Sequence, residues 1–247
     1  MPVVLDNNKL GAVGEYIKEN TQEGAIITIS SPIFTIYAFE ELRKVLEKSN
    51  KFRFLFNEPT FIKNIISNSK EVKEFELQMH QREKNISEFN LEIGLKNNLD
   101  QNQIASKCYS FIEEKGEIKS VVKSGSVSLS NILVENKNNS YLIQGNNISF
   151  SKDGLGYTKE IRFDFNTVND DSEMIKQYLS FINQIFDNEE LVVDVKEELL
   201  KHLSNLYQET SPAEERKILC GRKHFEVLDT GVKYEVVKEL KSLKNYC

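Results

Sequence analysis

The run Ala25-Ile26-Ile27-Thr28-Ile29 constrains this chain more than any other feature. A nearly continuous apolar strand has no polar face to offer water, so it belongs in a sheet covered on both sides. Ser30-Ser31-Pro32 closes the run, and helical spacing follows over residues 33–46, with Tyr37, Leu42 and Leu46 set among charged residues. A second strand, Phe52-Arg53-Phe54-Leu55-Phe56, ends in the turn Asn57-Glu58-Pro59. Ahead of both lies a short amphipathic helix over residues 9–19, with Leu10, Val13 and Ile17 on one face. Helix, strand, helix, strand is the order of parallel strands joined by a helical crossover.

The middle is less regular. Residues 61–94 are polar and charged, as a helical excursion or a flap would be. Residues 100–114 read as a helix, with Asp100 as its N-cap, Ile104, Cys108, Phe111 and Ile112 inward, and Gly116 as its stop. The period then becomes two. Residues 118–121 and 127–134 are strands, Asn136-Lys137-Asn138-Asn139 is a turn, and residues 140–144 return as a hairpin partner. Gly154-Leu155-Gly156 is another turn, and residues 160–165 alternate as a further strand. Two helices follow over 172–186 and 189–207, with a shorter one from Pro212. The tail is strand-like from Arg222 and helical from Tyr234.

Composition narrows the function. With 39% hydrophobic and 28% charged residues over 247 positions, the chain can bury a core without staples. A net charge of −6 argues against a uniformly basic coat for DNA and leaves room for a local basic patch. Cys108, Cys220 and Cys247 are an odd, widely spaced set with no Cys-x-x-Cys pair, so neither a disulfide framework nor a zinc site is expected, and a reducing cytoplasm is the simplest home. From the residues at its start no signal peptide is expected, and the most apolar stretch, 25–39, falls short of the ~18 apolar residues of a membrane span. No Gly-rich phosphate loop exists, so no ATP motor and no cofactor is expected.

The order of elements, with Ile-Gln-Gly-Asn-Asn-Ile-Ser-Phe-Ser-Lys-Asp-Gly-Leu-Gly at 143–156, resembles the phospholipase D-like domain, in the form found at the N-terminus of bacterial Swi/Snf-type helicases. The resemblance spans roughly residues 3–210, and its most specific piece is 145–156. The family chemistry needs a His that attacks phosphorus and a Lys and an Asn or Ser that hold phosphate oxygens. By that resemblance the His falls on Leu129, the Lys on Asn131 and the Asn on Ser149. Loss of a nucleophile costs on the order of 10⁶ in rate in other enzymes. The resemblance therefore implies a degenerate copy without catalysis. A weaker echo, Glu215 to Glu226, is similar to segments near the ends of type III restriction helicase subunits.

Lys119, Lys123, Asn146, Asn147, Ser149, Ser151 and Lys152, with His224 in the basic cluster Arg222-Lys223-His224, are the candidates for phosphate or DNA contact. Surface lysines and turn asparagines explain the same residues without a ligand. His80 and His202 read as exposed or packing residues, and Asp229 with Glu239 and Lys241 is a weak echo of a metal nuclease, so no metal site is expected.

The expected architecture is an α/β fold with a mixed sheet of phospholipase D-like type, parallel at its start and antiparallel later, with a helical C-terminal extension. The boundaries are 1–170 for the core and 171–247 for the extension packed on it. Family sites need two copies and this chain holds one, so the resemblance implies a homodimer or pairing with a related chain. Three functions follow: a non-catalytic module in DNA metabolism, restriction or phage defence that binds DNA or a helicase-type partner; an active nuclease with a non-standard site; or a dimerisation scaffold. No membrane partner is expected.

Overall fold

The structure is a computed structural model that describes residues 3–61, 91–158 and 164–208. Strand β2 (Ile26–Ser31) lies parallel to β3 (Lys51–Phe56), and α2 (Ile36–Leu46) carries the crossover between them. Helix α3 (Leu91–Lys115) then leads to β4 (Gly116–Val121), parallel to β3. The expected parallel start is therefore present, with Ile27 beside Phe52 and Ile29 beside Phe54.

Every other pairing between the described strands is antiparallel. Strand β5 (Asn131–Glu135) flanks β2, and β6 (Tyr141–Gly145) returns beside it as the expected hairpin. Strand β7 (Asn166–Asn169) follows, and β1 (Val3–Leu5) closes that edge. At the far edge β8 (Val192–Asp194) pairs with β4. Among the described residues the sheet has eight strands in the order β1-β7-β6-β5-β2-β3-β4-β8.

Strand alternation divides the core in two. Ile27, Ile29, Phe52, Phe54, Ile118, Ile132 and Ile143 face the larger core, where α1 (Val13–Asn20), α2, α3 and α5 (Lys196–Gln208) cover them. Leu55, Val121, Leu133 and Leu142 face the other way, and α4 (Ser172–Phe186) covers them with Ile175, Ile182, Ile185 and Phe186. The Asp171 side chain caps α4 by accepting from Met174 N at 2.8 Å.

Arg53 pins α4 to the sheet. Its Nη1 donates to Asn183 Oδ1 at 2.7 Å, and its guanidinium lies 4.0 Å from the Phe186 ring centre. Glu117 Oε2 stands 3.3 Å from Arg53 Nε and 2.6 Å from Lys51 Nζ.

Several local expectations give way to side-chain chemistry. Leu10 is 61% exposed, because the Asp6 carboxylate holds Asn8 N and Leu10 N in a turn and the helix starts only at Val13. Asp100 lies inside α3 and does not cap it. The strand expected over 127–134 starts at Asn131. Upstream, the Leu129 carbonyl is taken by Ser30 Oγ and Asn57 Nδ2 and does not join a ladder.

Within the helix expected over 189–207, Asn188 Oδ1 accepts from Glu190 N and Leu191 N, and the β-branched pair Val192-Val193 then forms β8. Residues 172–208, expected to be helical, are thus not wholly so: they supply α4, an edge strand and α5. The strand expected at 160–165 falls mostly outside the described residues, as do the helix from Pro212 and the tail elements beyond it. No described helix is long and apolar enough to cross a membrane.

Candidate functional site

The carboxyl ends of β2, β3 and β4 share one edge of the sheet with the start of β5 and the end of β6. Strand ends of this kind leave backbone and side-chain polar groups free to meet a ligand. Leu129, Asn131 and Ser149, which the resemblance aligns with catalytic positions, all lie at this edge. Asn131 pairs with Ser30 across the ladder, and the neighbouring Ser31 Oγ accepts from Phe150 N at 3.1 Å.

The edge is polar but committed to itself. Ser30 Oγ donates to Leu129 O at 2.7 Å, and Asn57 Nδ2 donates to that same oxygen and to Ser130 Oγ. The Leu129 side chain packs against the apolar cluster of Leu55, Val127 and Ile182 beneath α4. Asn131 is only 2% exposed. Its Oδ1 and the nearby Tyr178 hydroxyl close no hydrogen bond of ordinary geometry. Burial raises the Tyr178 phenol above its usual pKa, with the Asn131 amide pulling the other way.

Segment 148–156 is stitched onto the start of α2. Ser31 Oγ also accepts from Ile33 N at 3.1 Å and donates to Ile33 O at 2.8 Å. Thr35 N donates to Phe150 O at 3.0 Å, and Phe34 pairs with Phe150 in an isolated parallel bridge. The fully buried Phe150 ring lies 5.0 Å from Phe34, 6.0 Å from Phe52 and 5.9 Å from Phe54. Ser149 Oγ and Ser151 Oγ are 2.9 Å apart, and Ser151 Oγ accepts from Gly154 N. A side chain at Gly154 would collide with the Ser149 backbone, which explains the glycine.

The other candidate contacts are dispersed. Lys119 Nζ donates to Phe186 O at 2.6 Å beneath α4. Lys152 turns to Glu41 at 3.3 Å and lies 5.8 Å from the Tyr37 ring centre. Asn147 Nδ2 donates to Asp164 Oδ1 at 3.1 Å, and Asn146 Oδ1 accepts from Phe165 N. Lys123 sits exposed in the loop after β4. His224, His80, Cys220, Cys247 and the acids at 229 and 239 lie outside the described residues. His202 lies on α5 beside the Phe61 ring.

Cys108 is a buried core thiol whose pKa burial drives far up, so it is no nucleophile. Among the described residues no group of three or more His, Cys, Asp or Glu could hold a metal ion.

Sequence reasoning missed Ser30, Ser31, Asn57, Ser120 and Ser130, the small polar residues that finish this edge. Ser120 Oγ accepts from Thr60 N at 2.9 Å, and the Glu58 carboxylate accepts from Ser124 Oγ at 2.6 Å. The available signal was a small polar residue directly after each apolar run, as in Ile29-Ser30-Ser31 and Phe56-Asn57.

Fold and edge together define a mixed α/β protein whose strand-end site has neither a His nor a Lys at the three positions aligned with catalysis, Leu129, Asn131 and Ser149. No family model matches the chain. No curated protein matches it either. Among solved structures it is similar to a phosphatidylserine synthase from Haemophilus influenzae Rd KW20, at 14% identity and a TM-score of 0.42, over 92% of this chain and 45% of that one. It is also similar to TrmBL2, an archaeal chromatin protein with a novel mode of DNA binding, at 10% identity and a TM-score of 0.35, over 74% of this chain and 51% of that one. The chain thus spans about half the length of each. Both scores lie below 0.5, too low to assign a fold.

Proposed function

We propose that this chain is a non-catalytic phospholipase D-like module of DNA metabolism, which works by binding DNA or a helicase-type partner and not by cutting phosphodiesters. One observation carries the reading. The position that would hold the nucleophile is Leu129, whose side chain packs under α4 and whose carbonyl is held by Ser30 and Asn57. The position that would hold the phosphate-binding Lys is Asn131, buried in the ladder between β2 and β6. An attacking group and a cation aimed at developing charge are the two things such catalysis requires. Pairing with a second copy or a related chain belongs to the same reading.

The test is cleavage of single- and double-stranded DNA by homogeneous protein, with and without divalent metal, beside a binding measurement on the same substrates. The expected result is no cleavage under any condition. Metal-independent cleavage would refute the reading and send the search to the histidines. Metal-dependent cleavage would refute it in favour of the acids of the tail.

A further inference from the structure

We infer that the exposed flank of α4 is a docking surface for a basic amphipathic helix of a protein partner. The inference deepens the binding role proposed above, yet it stands on a different face and does not need the strand-end site to be inert. Met174, Tyr178 and Phe181 follow one another at i, i+4 and i+7 along α4. Met174 is 40% exposed and Phe181 48%, and the Tyr178 and Phe181 ring centres are 6.4 Å apart. Helix geometry sets these three on one flank and Asn183 on the other. Asn183 reaches down to Arg53, so the apolar flank is the side turned toward Asn131 and the strand ends.

Beside this flank the sheet stays partly open. Gln144 and Thr167 are paired neighbours on the α4 face of β6 and β7, and both are half-buried. The exposed Met174 and Phe181 side chains thus stand beside the half-buried polar pair Gln144 and Thr167. A helix laid along such a face presents anchors at i, i+3 or i+4 and i+7.

Charge selects the occupant. Between residues 170 and 190 stand six carboxylates and one lysine, Lys176. Asp170, Asp171 and Glu173 sit at the start of α4, and Asp187, Glu189 and Glu190 follow its end, the last three around a shallow surface depression. Opposite charge steers a partner onto a patch, and like charge repels one. A second copy would set acids against acids, and DNA would set phosphates against them. A helix with leucines at helical spacing and lysines at both ends meets both the stripe and its acidic ends.

The test uses the full chain and two synthetic 18-residue helices with identical leucine spacing, one bearing lysines and the other glutamates at the remaining positions. Binding is read by fluorescence anisotropy. The lysine helix is expected to bind, to weaken by roughly tenfold or more in the Met174→Ser, Phe181→Ser variant, and to weaken again with added salt. The glutamate helix is expected not to bind. A second variant, Asp187→Lys with Glu189→Lys, removes charge alone and is expected to cut affinity without touching the stripe. Matching urea midpoints for parent and variants show that folding is intact. Equal binding of the lysine helix to parent and both variants, or no binding to any, overturns the inference. So does self-association of the chain that vanishes in the stripe variant, which would make a second copy the occupant.

Discussion

Phe150→Ala tests whether segment 148–156 is part of the core or merely lies over it. The ring is 0% exposed and approaches Phe34, Phe52 and Phe54 with centres 5.0–6.0 Å away. Removing a fully buried aromatic loses about 1.5–3 kcal/mol of transfer free energy. Three ring contacts and the cavity left among stiff neighbours add to this, and Phe→Ala in cores costs about 3–5 kcal/mol in all. The expected loss is about 4 kcal/mol, which for a chain of this size lowers Tm by roughly 12 °C. The assay is urea unfolding, with the midpoint falling at unchanged m-value. A loss below about 1.5 kcal/mol would refute the reasoning, because it would mean that the segment peels away before the sheet unfolds.

Other consequences follow from the same contacts. Restoring the family residues with Leu129→His and Asn131→Lys is expected to give no DNA cleavage and to cost about 2 kcal/mol or more, since one side chain enters an apolar cluster and the other a ladder position; cleavage by that double variant would show that the edge can open. Gly154→Ala is expected to cost about 1–3 kcal/mol through collision with Ser149. Gly24→Ala, with φ +81° and open space around it, meets only the left-handed penalty of about 1–2 kcal/mol, so both substitutions alter melting temperature but only the first disturbs segment 148–156 in amide exchange.

Burial pushes the Glu117 carboxyl upward, but the Lys51 hydrogen bond and the charges of Arg53, Lys51 and Lys119 outweigh it and hold the group below its usual range. Its contribution is therefore complete above the unfolded value of about 4.3 and is lost as pH falls through the lower folded value, so Glu117→Gln is expected to flatten stability against pH in that acid window. Glu135 has the opposite sign. Burial raises its pKa despite the charge of Arg53, so Glu135→Gln is expected to hold or increase the urea midpoint at neutral pH.

In this chain of 247 residues, strands and helices were legible in the sequence where one physical term dominates. Apolar runs such as residues 25–29 and 52–56 have no alternative to a covered sheet, and the 3.6 period of 172–186 matches α4 residue for residue. The hairpin of β5 and β6 followed from its Asn-rich turn. These are local effects, summed over neighbours in the chain.

Only the tertiary structure decided the rest. The start of β5 at Asn131 depends on Ser30 and Asn57, respectively 99 and 72 residues from the Leu129 carbonyl they bind. The β-branched pair Val192-Val193 favours a strand, but β8 forms only because β4 offers it an edge to pair with, at residues more than 70 positions earlier in the chain. The lysines and asparagines that looked alike in sequence are separated by their partners: Lys119 to a carbonyl beneath α4, Lys152 to Glu41, Asn147 to Asp164. A hydrogen bond or ion pair is made across space, and its energy is invisible until folding brings its two ends together.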